Sequence, residues 1–104
     1  MQVGKLYKFK THYWLCYEDK KLACANGTKA GTYHDDLESA NHIAKQLKNY
    51  YGTNISILLP DDLFVPLDVE ERVVKVLSSG GIGWIRYAYH APWSYDNVVR
   101  LSKL

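Results

Sequence analysis

The residues that could do chemistry in this chain are few and scattered. Four histidines, His12, His34, His42 and His90, and two cysteines, Cys16 and Cys24, supply the candidate bases, nucleophiles and metal ligands. A nucleophilic cysteine needs a positioned base and a lowered thiol pKa. The chain offers Cys16 or Cys24 with His12 or His34, but Cys16 sits inside the apolar run HYWLCY, where a small buried hydrophobe is the simpler role. The histidines show neither HxxxH nor HExxH spacing, and seven residues separate the cysteines, which is not a CxxC ligand pair. Gly80-Gly81-Ile82-Gly83 lacks the Lys-Ser/Thr and following helix of a phosphate-cradling loop. The expectation is a protein that is not an enzyme, with no catalytic residue, no metal site and no cofactor.

Binding is the chemistry that remains. Nine Tyr and three Trp stand beside only two Phe. Tyr and Trp join an apolar body to a polar tip and are enriched at interfaces. One candidate surface is basic and aromatic: Lys5, Lys8 and Lys10, with Tyr13 and Trp14 close behind, could grip phosphates and stack bases as nucleic-acid-binding barrels do. Residues 1–52 hold eight lysines against five acids, whereas residues 53–104 carry one more acid than base. The acidic pairs Asp61-Asp62 and Glu70-Glu71 argue against uniform nucleic-acid binding, and a net charge of +2 does not demand it.

The length of 104 residues fits one domain, 1–104, with a modest core. Two cysteines are fewer than a disulfide scaffold uses, and no apolar run is long enough to span a bilayer. A cytoplasmic protein with both thiols reduced and no membrane contact is expected.

Alternation and spacing predict strands at Val3–Lys10 and His12–Tyr17, a charged turn at Glu18–Lys21 and a return strand at Leu22–Ala25. Asp35–Tyr51 reads as an amphipathic helix, with Leu37, Ala40, Ile43, Ala44 and Leu47 at helical spacing. Asp35 with Glu38 forms a capping box, Gly52 is the C-cap, and His42, Lys45, Lys48 and Asn49 face solvent. Strands follow at Ile55–Leu59, Phe64–Val69, Arg72–Leu77 and Ile82–Tyr89, with a last one at Val98–Leu101. Pro66 marks a bulge or an edge.

The stretch from Leu63 to Ile85, with its Gly83-Trp84-Ile85 step, the turn at Pro92–Tyr95 and then Val98-Val99, resembles an SH3-like barrel. Gly4-Lys5-Leu6-Tyr7 resembles the opening strand of that fold. The resemblance covers residues 1–10 and 63–102 and makes 11–60 an insertion. It extends to small barrel proteins of bacteria and their phages. It implies an α+β fold: a strongly bent antiparallel sheet with one amphipathic helix near 35–51. It further implies a ligand groove of exposed aromatics centred on Trp84, Trp93 and Tyr95, to which Tyr87 or Tyr89 can add; Ile85 turns to the core, and a regular strand puts Tyr87 and Tyr89 on its face. The expected function is that of a non-catalytic protein-binding module, a small accessory or inhibitor protein occluding a larger partner. A nucleic-acid-binding barrel built on the N-terminal lysines is the alternative. Monomer and homodimer are both open to it.

Overall fold

The computed structural model describes residues 1–86 throughout and the backbone of residues 98–101. Its organising element is a five-residue strand, Tyr-Trp-Leu-Cys-Tyr, with apolar residues on both faces. In this strand, β2 (Tyr13–Tyr17), all residues from Trp14 to Tyr17 are buried. A strand that alternates polar and apolar residues needs cover on one side only; a continuous apolar run needs it on both. Two separate cores meet that need. On one face Trp14 and Cys16 join Tyr7, Phe9, Leu58, Phe64, Val74, Val76 and Ile85. On the other, Leu15 and Tyr17 pack with Ala23, Ala40, Ala44 and Val73.

The first core lies inside a curled antiparallel sheet. The sheet order is β3 (Tyr33–His34), β2, β7 (Gly81–Arg86), β6 (Val73–Ser78), β5 (Leu63–Val69), β1 (Leu6–Phe9) and β8 (Val98–Leu101). The strand β4 (Ile55–Leu58) pairs β2 along its other edge. Cys16 therefore faces Ser56 on one side and Ile85 on the other. Rings run through the concave interior in series. Centroids are 5.6 Å apart for Tyr7–Phe64, 4.4 Å for Phe64–Phe9, 5.7 Å for Phe9–Trp14 and 5.3 Å for Trp14–Tyr33. Stacking of this kind adds to the area the rings bury. The sheet bends at a register shift between Pro66 and Asp68, where a proline is tolerated because the ladder is already broken.

The second core lies beneath two helices, α1 (Lys20–Ala25) and α2 (Leu37–Tyr51). In α2, Ala40 and Ala44 are buried while Ile43 and Leu47 flank them, the one-sided stripe expected from the sequence. His42, Lys45, Lys48 and Asn49 are exposed, and Gly52 closes the helix at φ 70°, a left-handed conformation that suits glycine.

Several expectations are corrected. Leu22–Ala25 is not a return strand but the body of α1. Asp19 caps it, accepting from Lys21 N–H at 2.9 Å, and the Arg86 guanidinium donates to the carbonyls of Ala23 and Cys24 at its other end. Among the described residues this short helix accompanies the one amphipathic helix expected at 35–51. The N-cap of α2 is Asp36, not Asp35: its carboxylate accepts from Ser39 N–H at 2.7 Å and from the Ser39 hydroxyl. Those bonds hold the Asp36 carboxyl below the usual aspartate range. Asp35 turns instead to His12, 3.0 Å away. The first strand begins at Leu6, leaving Val3 exposed. Residues 11–60, expected as an insertion, supply β2, β3 and β4 to the same sheet. The remainder of the expected strand at 87–89 lies outside the described residues.

Close packing across the sheet gives the first prediction. A Cβ on Gly83 would lie 2.4 Å from Cys16 Sγ and 3.1 Å from the Tyr17 carbonyl oxygen, whereas one on Gly80 would meet nothing nearer than 3.8 Å. Gly83→Ala is expected to lower unfolding stability by about 1–3 kcal/mol through overpacking. Gly80→Ala should stay near wild type in the same urea titration.

Candidate functional site

Strand alternation in β7 decides what the sheet displays. Gly83 and Ile85 face the inner core, so Ile82, Trp84 and Arg86 face outward. Arg86 is buried beneath α1, whereas Trp84 is half-buried and Ile82 is 59% exposed. Trp84 lies opposite Tyr17 of β2 and Lys75 of β6. Its indole is bracketed by two ammonium groups, Lys20 Nζ at 5.2 Å and Lys75 Nζ at 6.0 Å from the ring centroid. Cations over an indole face are attracted by its quadrupole. Lys20 is held in place by Glu70, 2.7 Å away, and that hydrogen bond is the first cause raising the lysine pKa.

One row along, the same face carries apolar side chains in direct register. Val65 lies opposite Leu77, and Leu77 opposite Ile82. Leu63, on the same side of β5, is 44% exposed and Leu77 is 45% exposed. The helices cover this outer face over β2, β4, the start of β6 and the Arg86 end of β7, and the row through Leu77 and Ile82 lies beyond them. The result is an apolar row across three strands beside a lysine-flanked indole. Contiguous exposed apolar surface of this kind marks an interaction site more often than scattered single residues do.

Of the aromatic groove expected from sequence, Trp84 is where alternation placed it. Trp93, Tyr95, Tyr87 and Tyr89 lie outside the described residues. The apolar row of Leu63, Val65, Leu77 and Ile82 was not singled out from sequence. Its signal was present: β5, β6 and β7 carry apolar residues on both faces, more than one core can absorb.

The expected basic and aromatic surface does not assemble. Trp14 is only 1% exposed and donates its indole N–H to the Thr11 carbonyl at 3.2 Å, so it offers no ring face to a base. Tyr13 is half-buried against the second core. Lys8 reaches Asp61 at 3.6 Å, while Lys5 and Lys10 are exposed.

The cysteines and histidines also remain apart. Cys16 lies in the inner core and Cys24 is exposed on α1. Burial pushes the Cys16 thiol up to about 11, against a smaller opposing effect of its hydrogen bond with Ser56. That makes it a poor nucleophile at neutral pH. His34 Nε2 lies 2.7 Å from the Ala30 carbonyl oxygen, and His12 meets Asp35. Among the described residues no three His, Cys, Asp or Glu side chains converge on a common point, and no helix is long and apolar enough to cross a membrane.

No protein-family model matches the chain, and neither a curated protein nor a solved structure matches it significantly.

The thiols provide a direct check on this geometry. At pH 8 a disulfide-exchange reagent should titrate Cys24 rapidly in the folded protein, while Cys16 reacts only as the protein unfolds. Rapid release of two equivalents without denaturant would contradict the placement of Cys16.

Proposed function

We propose that the chain is a non-catalytic protein-recognition module, built on a small SH3-like curled sheet, that binds a larger partner through the outer face of β5, β6 and β7. The observation that carries this reading is Trp84: a half-buried indole flanked by Lys20 and Lys75, next to the exposed row of Leu77 and Ile82. Trp in a well-packed setting is a frequent binding hot spot, and a surrounding rim excludes water from it. The indole packs against the second core on its inner edge, so its orientation is set before a partner arrives. Pre-set side chains bind with less ordering cost. The role that suits such a surface is that of an accessory protein or inhibitor acting by occlusion.

The test is affinity capture from lysate of the source cells, with and without nuclease, using wild type, Trp84→Ala and Ile82→Lys. A stoichiometric protein band that survives nuclease is expected with wild type. Each substitution should weaken that complex by about 2 kcal/mol or more, roughly thirtyfold, while the circular dichroism spectrum is unchanged. Complexes that vanish with nuclease, or that persist with both folded variants, would overturn the reading.

A further inference from the structure

The sheet has a second feature that the Trp84 surface does not use. Strand β4 pairs only with β2 among the described residues, so one of its edges has no strand partner. Which backbone groups lie on that edge follows from the register. Glu18 and Asn54 face each other one step beyond Tyr17↔Ile55, and Glu18 N–H donates to the Asn54 carbonyl at 3.2 Å. In an antiparallel ladder, hydrogen-bonded pairs recur at every second residue. Cys16↔Ser56 and Trp14↔Leu58 are therefore the bonded pairs, and the N–H and C=O groups of Ile55 and Ile57 point to the open edge. On the other edge of β2, Leu15 N–H donates to the Thr32 carbonyl, as this phase requires.

A groove of about 390 Å³ runs beside that edge, between β4 and α2. Ile55, Ile57 and Ala44 give it apolar walls; Asn41, Lys45 and Lys48, one stripe of the helix, give it a polar and basic side. Neither lysine forms an ion pair among the described residues, although Lys8, Lys20 and Lys29 all do. Lysines near a sheet edge discourage indiscriminate strand pairing, and the same charge selects an acidic strand over a basic one.

We propose that this groove takes an extended acidic segment of a partner protein, which adds to β4 as a further strand. Its main chain would bond to Ile55 and Ile57. Alternate side chains would meet Ala44 and the isoleucines, and its carboxylates would face Lys45 and Lys48. Strand addition of this type draws affinity from main-chain hydrogen bonds and selectivity from the flanking side chains. With four residues in β4, the contact spans about 13 Å. The lining of the groove includes none of Trp84, Leu77 and Ile82.

The probe is a fluorescein-labelled heptapeptide alternating Glu and Val, titrated into the full ¹⁵N-labelled chain. Saturable binding is expected, with the amides of Ile55 and Ile57 shifting and gaining protection from exchange. Lys45→Glu/Lys48→Glu should weaken binding at least tenfold with the rest of the spectrum intact, and Trp84→Ala should leave it unchanged. Of two probes N-methylated on alternate residues, one should lose binding and the other keep it, because only one edge of an added strand faces β4. Absence of saturable binding at millimolar probe would overturn the proposal. So would shifts confined to other strands, indifference to the lysine substitutions, or equal binding by both N-methylated probes. A failure here leaves the Trp84 surface standing, and loss of the Trp84 complex leaves this groove standing.

Discussion

The structure depends on one constraint: the strand Tyr13–Tyr17 is apolar on both faces and must be covered on both. At about 1.5–3 kcal/mol for each large side chain fully buried, leaving either face wet would cost several kcal/mol, comparable to the whole stability of a small domain. The curl of the sheet answers for Trp14 and Cys16, and the two helices answer for Leu15 and Tyr17. The backbone of β2 is as fully committed as its side chains, with β4 on one edge and β3 and β7 on the other. Even the Tyr17 phenol, whose ionisation burial suppresses, has a partner: it donates to the Gly31 carbonyl at 2.6 Å.

That commitment explains where the surface features fall. The outer face of the sheet is long, and the helices reach the part around β2, β4, the start of β6 and the Arg86 end of β7. Among the described residues they leave open the outer side of β5 and the turn-proximal ends of β6 and β7, with Val65, Leu77 and Ile82 upon it and Trp84 half-buried at its border. The same economy leaves β4 with one edge unpaired among the described residues, its other edge being spent on β2. Both candidate surfaces are consequences of how β2 is covered.

Much of this was legible in the sequence, and the exceptions have physical causes. The helix at 37–51 was legible because its apolar residues recur at helical spacing and Gly52 ends it. Strands β5 to β7 were legible because turn residues separate short β-branched runs. The cap of α2 was displaced by one residue because two aspartates are adjacent, and only geometry reveals that Ser39, rather than Glu38, answers the cap. Leu22–Ala25 suggests a return strand because part of what holds it as a helix is not local: Arg86, more than sixty residues away, binds its last carbonyls. The resemblance to an SH3-like barrel made residues 11–60 an insertion, since sequence order does not reveal that β2 pairs with β7. In the site, alternation through Gly83-Trp84-Ile85 gave the faces of β7, with Ile85 in the inner core and Trp84 on the outer side. Trp14, equally aromatic and near lysines, gave no sign that it belonged to the core, because a run apolar at every position does not tell which face meets solvent.

Native-state hydrogen exchange tests the role of β2 most directly. The amides of Leu15, Cys16 and Tyr17 should exchange only through global unfolding, with the denaturant dependence of the whole protein. Exchange of those amides through a local opening insensitive to denaturant, while the β5–β6–β7 amides stay protected, would contradict a fold organised around that strand.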